Sequence, residues 1–407
     1  MWLWWKVENW LNYVYKPILL EIKIPKDSLK PIRAMENVIA SIHAIIYQPP
    51  DWWEKWIDGQ VQTTCYLEIQ SDGGEIHFYI RAHADYRQAI ESAVYAQYPE
   101  AEITQAQDYA KMVPSDIPNK DWDLFGSDYR LLREDYYPIR TYTSFETETE
   151  SEEEKRIDPV ASLLEAMAKL KSGEQLWIQI GVEPVSEGAL QSWLKKGDML
   201  RDKLAKRPEK PEQKSMVAEG ADLLLFGTPP GVVEEKPADI YPPEMRLTPG
   251  EKEVVTAMEL KMSKPIFKTQ IRFIYFGRTD IWFKPNFRLA FSFFSQYTTS
   301  NLNTLQPSGI TLTKIHKTWF LPLNWIRPRR AFLRQRRLFR YYISRLSPFY
   351  PRPSGDLDFP PKKKLSFILN TEEVASLFHF PSWVVSPVPG IPRVEAKKGA
   401  PPNLPVE

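Results

Sequence analysis

This sequence has a single cysteine and almost no net charge. The first excludes a disulfide-stabilised protein, and the second excludes a strongly basic one. One cysteine, Cys65, occurs among 407 residues, so the chain cannot form an internal disulfide and its composition fits a reducing compartment. The formal net charge at pH 7 is +1, which excludes binding to nucleic acid through a strong overall positive charge. Because Cys65 lies in the alternating run TCYLE (64–68), we expect a packed strand residue rather than a reactive thiol.

Long apolar runs are also missing. No run reaches the roughly 18 apolar residues that a membrane-spanning helix requires, and no secretory signal is recognisable. We therefore expect a cytoplasmic protein that does not cross a membrane. Peripheral attachment to the inner face of the plasma membrane stays open.

The motifs of common enzyme classes are absent as well. The nearest approach to a nucleotide-binding loop, GTPPG (227–231), lacks the Gly-Lys-Ser/Thr element, and its two prolines have no N–H group to offer a phosphate. His77 and His83 have no cysteine or carboxylate at metal-ligand spacing beside them, and no GxSxG sequence occurs. We predict no catalytic residue, no cofactor, no metal site and no small-molecule substrate.

The order of patterns predicts an α+β protein with two ferredoxin-like α/β sandwich modules. The first module, residues 17–110, shows a β-α-β-β-α-β order, and the sequence SDGG (71–74) indicates a hairpin. Its predicted strands are 18–24, 61–70, 75–81 and 101–106, and its predicted helices are 31–46 and 86–98. Residues 107–135 are predicted to be irregular.

The second module, residues 137–381, is predicted to be interrupted by a disordered linker. Residues 205–246 are rich in Lys, Glu and Pro, which is typical of such an insertion, and the tail 382–407 is rich in proline. Thr248 and Glu251 form a capping-box pattern that starts a helix. The predicted strands are 137–142, 174–182, 267–277 and 365–369, and the predicted helices are 159–170, 248–263, 285–298 and a short one after Thr371.

Aromatic residues are concentrated at the start of the chain. Segment 1–16 begins MWLWWKVENWLNYVY and is too short to cross a bilayer. Indole rings are well suited to the membrane–water interface, so the segment is either interfacial or a helix docked on the first module. The candidate membrane-interface residues are Trp2, Trp4, Trp5 and Trp10, and Trp52 follows further along the chain.

A basic segment, 314–346, stands out in the second half. No acidic residue occurs between Ile281 and Gly355, whereas thirteen lysines and arginines do. Read as a helix from about 329 to 346, the segment places aromatic residues on one stripe and arginines around the rest. The candidate anion-binding residues are Arg327, Arg329, Arg330, Arg334, Arg336, Arg337, Arg340 and Arg345.

Three partners fit this basic segment. They are an anionic lipid surface, the phosphates of a nucleic acid such as DNA, and an acidic protein surface. The alternative is a solvated segment that is merely basic and has no partner.

Several short strings resemble a known family. The region they resemble precedes the motor domain in type IV secretion/conjugation-like ATPases of the FtsK–HerA superfamily from candidate-phylum bacteria. The strings are LEIKIP (20–25), RAME (33–36), GEIHFYIR (74–81), YAQYP (95–99), YPIRTY (137–142), RIDP (156–159), GEQLWIQ (173–179) and FILNTEEVASLFHFP (367–381).

The resemblance implies a module that serves an ATPase without being one. In the family a motor domain follows a proline-rich segment such as PPNLP (401–405), and membrane spans often precede the first strand. We expect neither in this chain. The predicted function is therefore a non-catalytic module of a DNA-transfer system that positions a separate HerA-like ATPase near the membrane. The alternative is a peripheral membrane or nucleic-acid adaptor that acts through residues 327–345.

Overall fold

The computed structural model describes residues 2–25, 30–145, 158–207, 247–317, 319, 324–345 and 365–381. Within these ranges the protein combines helices with a nine-stranded sheet in which every ladder is antiparallel. The α+β class predicted from sequence is confirmed. Residues 208–246 of the predicted insertion and the whole tail 382–407 lie outside the described residues.

The first half of the sheet follows the order of the predicted elements. Its strands lie side by side in the order β4-β1-β3-β2. The elements are α1 (Trp2–Asn9), β1 (Pro17–Lys23), α2 (Ile32–Ile46), β2 (Cys65–Asp72), β3 (Glu75–His83), α3 (Arg87–Gln97) and β4 (Glu102–Gln105).

The second half has the strand order β6-β7-β5-β8. Its elements are β5 (Trp122–Leu131), α4 (Ala161–Ala168), β6 (Glu174–Pro184), α5 (Glu187–Leu204), α6 (Pro249–Ser263), β7 (Ile266–Arg278), α7 (Arg288–Ser295) and β8 (Leu305–Pro307). The chain then adds α8 (Arg327–Ile343), β9 (Phe367–Asn370) and α9 (Thr371–Leu377). Strand β9 pairs with 266–269 of β7, beyond the part of β7 that β5 occupies.

One ladder joins the two halves. β2 pairs with β6 from Cys65 opposite Val182 to Asp72 opposite Gln175. The described strands therefore form one continuous sheet.

The predicted strand 137–142 is wrong. Its residues pair with none of the described strands, and two of its backbone N–H groups donate to side chains of α9: Ile139 N binds Glu373 Oε1 at 2.8 Å, and Tyr142 N binds Ser376 Oγ at 2.8 Å. Conversely, part of the stretch predicted to be irregular forms β5, which pairs with β7. Helix α5 was not predicted.

The first face of the sheet is apolar and covered by helices. Alternate residues of the strands, such as Leu67, Ile178 and Phe273, point into a single large core. Helices α2, α3, α4, α7 and α9 supply the opposite side of this core. Each fully buried aliphatic or aromatic side chain contributes about 1.5–3 kcal/mol, so this face holds the helices in place.

The second face of the sheet has a buried polar row. Four residues lie opposite one another across four neighbouring strands: Glu68 of β2, Gln179 of β6, Arg272 of β7 and Asp128 of β5. All four are buried. Gln179 Nε2 donates to Glu68 Oε1 at 2.7 Å, and Arg272 Nε donates to Asp128 Oδ1 at 2.7 Å.

Helix α8 covers this second face. Leu338, Phe339 and Tyr342 are buried against a smaller apolar cluster that includes Trp177 and Phe276. The helix approaches the sheet at Gly126, where an added Cβ would lie 2.8 Å from Leu338 Cδ2 and 2.5 Å from the Phe273 carbonyl oxygen. The basic helix predicted from sequence is therefore part of the folded body.

Candidate membrane interface

The aromatic start of the chain is docked, and a second aromatic element lies beside it. Val7 of α1 is buried. A helical turn at 52–58 ends at Gly59, whose φ is +77° and where an added Cβ would lie 2.5 Å from the Lys6 carbonyl carbon. Because only glycine fits both the backbone conformation and this spacing, Gly59 fixes the turn against α1.

Together the two elements expose five tryptophans, which we name the tryptophan patch. Their exposed fractions lie between 42% and 68%. The patch consists of Trp2, Trp5, Trp52, Trp53 and Trp56. Single exposed apolar residues are common on protein surfaces, but a group of large ones marks an interaction site.

Two lysines lie among these rings. Lys6 Nζ is 5.4 Å from the ring centre of Trp2 and 5.9 Å from that of Trp5. Lys55 Nζ is 5.7 Å from the ring centre of Trp56. Ammonium groups held beside indoles give the patch both apolar area and positive charge, a combination typical of surfaces that contact lipid headgroups.

The predicted membrane-interface residues divide between two environments. Trp2 and Trp5 belong to the patch, whereas Trp10 is half-buried with its ring 5.7 Å from that of Tyr15. The side chain of Trp4 lies outside the described residues. Sequence reasoning missed Trp53 and Trp56, although the string DWWEKW (51–56) was a visible signal.

The arginines of the basic segment also differ in environment. Arg329, Arg330, Arg337 and Arg340 are exposed on the outer side of α8, near the exposed Leu333. We name these four residues the outer arginines.

Three further arginines fasten neighbouring segments to the helix. Arg327 Nε donates to the Ile315 carbonyl at 2.7 Å, Arg334 Nη1 to the Leu312 carbonyl at 3.1 Å, and Arg336 Nη2 to the Asp116 carbonyl at 2.7 Å. Burial and the nearby charge of Arg330 lower the pKa of Arg334. These three guanidinium groups already have partners within the chain.

Arg345 corrects the sequence prediction, because it is buried and is not available to an external anion. Its Nε donates to Glu68 Oε1 at 2.9 Å and its Nη1 to Asp108 Oδ2 at 2.8 Å. Its φ is +47°, and it directly follows Ser344, the C-cap of α8. Tyr66 OH donates to the Arg345 carbonyl at 2.6 Å.

Glu68 is the centre of this network. It accepts hydrogen bonds from Arg345, from Gln179 and, at 2.7 Å, from Tyr109 OH. Burial alone would raise the pKa of Glu68, but the charge of Arg345 and the three donors hold that pKa below its ordinary value. Arg345 lies just after α8 and Glu68 belongs to β2, so the network fastens the end of α8 to the sheet.

Carboxylate–histidine pairs occur elsewhere but form no metal centre. His77 Nδ1 lies 2.6 Å from Glu21 Oε1, and buried His379 Nε2 lies 2.9 Å from Asp158 Oδ1. Across the described ranges, no group of three or more histidine, cysteine or carboxylate residues has metal-binding geometry. In the same ranges, no helix combines the length and apolar character needed to cross a bilayer.

Comparison with known families gives one match. The model of a family described as "Domain of unknown function (DUF8128)" covers residues 12–318, well over half of the chain. The chain belongs to this family. No curated protein matches the DUF8128 chain. The matched range includes the turn at 52–58 and both halves of the sheet, whereas α8, β9 and α9 follow it in sequence.

Proposed function

We propose that this DUF8128 protein is a non-catalytic module that lies on a membrane surface through its tryptophan patch and positions a separate HerA-like ATPase for DNA transfer. The transfer system would be of the type IV secretion/conjugation kind. The single observation that supports the membrane part is the patch itself, which brings together five exposed indoles from two segments about 50 residues apart.

Physical chemistry favours lipid as the partner of the patch. An indole has a large apolar body and one N–H group, so its free energy is lowest where hydrocarbon meets water. Lys6 and Lys55 lie where ammonium groups can reach headgroup phosphates while their stems follow the rings. Binding at the interface needs no membrane-spanning segment.

The finer fold also belongs to this proposal: we infer that the sheet consists of two ferredoxin-like halves joined edge to edge. The strands lie in the order β4-β1-β3-β2 in the first half and β8-β5-β7-β6 in the second half. When the strands are numbered along the chain within each half, both orders read fourth, first, third, second. In each half one helix follows the first strand and another follows the third. Helices α5 and α6 stand where the first half has only a tight turn.

The motor partner is supported by the family resemblance in sequence. Most strings of that resemblance form buried strands and helices; the last forms β9 and α9, whose helical residues are all buried. These strings would therefore preserve the fold rather than contact the motor. The outer arginines are the surface that we assign to an acidic or phosphate-bearing partner.

Vesicle flotation tests the membrane part. We expect the wild-type protein to float with phosphatidylcholine vesicles and a Trp52→Ala, Trp53→Ala, Trp56→Ala variant to bind about tenfold more weakly, because less apolar area leaves water. The matched control is Met199→Ala with Leu260→Ala, two exposed apolar residues on α5 and α6. Equal binding by all three proteins, or none by wild type, would contradict the proposal.

Co-purification tests the motor part. A tagged chain recovered from its native lysate should bring down a HerA-like ATPase that mass spectrometry identifies.

A second candidate function, a nucleic-acid adaptor, is favoured by the outer arginines. It predicts DNA binding that falls steeply with salt and is lost when those four residues become glutamine. Recovery of DNA without an ATPase would replace the motor proposal with this one.

A further inference from the structure

A cavity lies between the two elements that carry the tryptophan patch. Its volume is about 240 Å³, it is partly open to solvent, and it is lined by α1, by the segment 49–62 and by the ends of β6 and β7. Leu3 and Val7 line one side, whereas Lys55, Gln60, Glu183 and Lys268 supply polar groups. The cavity therefore connects the patch to the second face of the sheet.

The charged groups of the cavity leave one positive charge unmatched. Its charged lining residues are Lys55, Lys268 and Glu183. Lys268 Nζ lies 3.0 Å from Glu183 Oε1, and Glu183 is buried. Lys55 is exposed, and its ammonium group approaches Trp56 rather than a carboxylate. A ligand with a single negative charge would balance the site.

The size of the cavity limits what can bind. Pockets that hold whole drug-sized molecules measure about 300–1,000 Å³, so about 240 Å³ suits a headgroup-sized part of a larger molecule. The rest of that molecule would extend toward the exposed rings of Trp52, Trp53 and Trp56. Indoles settle at the depth of lipid headgroups, which is also the depth of the lipid phosphate.

We propose that this cavity binds the phosphodiester of a phospholipid headgroup, with Lys55 and Lys268 contacting the phosphate and the tryptophan patch contacting the surrounding lipid. This inference rests on the proposed membrane function and adds a specific headgroup site to it. Lys268 would contact the phosphate while keeping its bond to Glu183.

Binding to charge-neutral phosphatidylcholine vesicles tests the site, because a surface with no net charge attracts ordinary surface lysines little. We expect Lys55→Met to weaken flotation about fivefold and the variant Lys55→Met, Lys268→Met, Glu183→Gln to weaken it about thirtyfold. The Glu183→Gln change avoids leaving a buried carboxylate unpaired. Lys16→Met, an exposed lysine outside the cavity, is the control and should bind like wild type.

The outcomes separate the two proposals. If wild type fails to float, the membrane function itself is wrong. If wild type floats and both cavity variants float equally well, the headgroup site is wrong while the membrane function stands. Displacement from vesicles by glycerophosphocholine, but not by inorganic phosphate at the same concentration, would support a lipid diester; the opposite pattern would overturn it in favour of a free-phosphate site.

Discussion

The two faces of this sheet are stabilised in different ways. On the first face, side chains such as Ile178 and Phe273 are buried by apolar neighbours and need no specific partner. On the second face, the neighbouring residues Gln179 and Arg272 are equally buried, but Gln179 Nε2 donates to Glu68 and Arg272 Nε donates to Asp128. Adjacent residues of one strand, such as Ile178 and Gln179, are thus stabilised by apolar packing on one face and by hydrogen bonds on the other.

This difference indicates how each face responds to change. Apolar packing loses free energy in proportion to the atoms removed, whereas a buried charge that loses its partner keeps its whole desolvation penalty. The second face should therefore be the more sensitive one, although fewer helices cover it. It is also the face that α8 covers and that Glu183 and Lys268 of the cavity lie on.

The largest expected effect is at Arg345. Replacing it with methionine should lower the free energy of unfolding by about 3–5 kcal/mol, because Glu68 would stay buried without its cation. Urea unfolding followed by tryptophan fluorescence measures the change. The control is Arg340→Met on the exposed side of α8, which should change stability by less than about 0.5 kcal/mol.

If Arg345→Met and Arg340→Met have the same free energy of unfolding, the buried Glu68 does not depend on its cation, and the greater sensitivity of the second face is contradicted. If adding Glu68→Gln to Arg345→Met restores part of the lost free energy of unfolding, that greater sensitivity is supported, because the double variant no longer buries an uncompensated charge.

A smaller effect is expected where α8 meets the sheet. Gly126→Ala should cost about 1–3 kcal/mol, because the new Cβ would overlap Leu338 and the backbone of β7. Gly188→Ala, at a helical glycine with open space around it, should be neutral or stabilising by up to about 1 kcal/mol. The same urea experiment compares them, and a neutral Gly126→Ala would mean that α8 lies further from the sheet.

The smallest effect is a difference between two acid-unfolding curves. Glu68 has a folded-state pKa below its ordinary value of 4.5, so its contribution to stability is present above about pH 4.5 and is lost as the pH falls through the folded-state pKa. Stability of the wild type should therefore decline more steeply below pH 4.5 than that of Glu68→Gln with Arg345→Met. Parallel curves measured by fluorescence would contradict this role of Glu68.

The sequence predicted the first half of the sheet well because its signals are local. The stripe of Met35, Val38 and Ile42 lies on the buried side of α2, and the glycines after Asp72 form the predicted hairpin. The capping box of Thr248 and Glu251 is also confirmed, with both reciprocal bonds present. Each of these features depends on residues only a few positions apart.

The errors arose where distant residues decide the structure. Asp128 and Gly126 make β5 look irregular in sequence, yet Arg272 pairs with the first and α8 packs close to the second. Arg345 looked exposed because its partners, Glu68 and Asp108, are more than 200 residues away. For the same reason, the sequence could not show that Gly59 places Trp53 and Trp56 beside α1.

The ladder between β2 and β6 has a consequence for self-association. It pairs two strands of eight and eleven residues that would otherwise offer long rows of unbonded backbone groups to other molecules. Among the described strands, the outermost are β4, β8 and β9, each only three or four residues long. Residues 122–128 of β5 have no described strand on the side away from β7, but Gly126 and Asp128 bond there to the loop 308–313. Short edges are poor templates for intermolecular strand addition, so the described sheet offers little surface for amyloid-like growth.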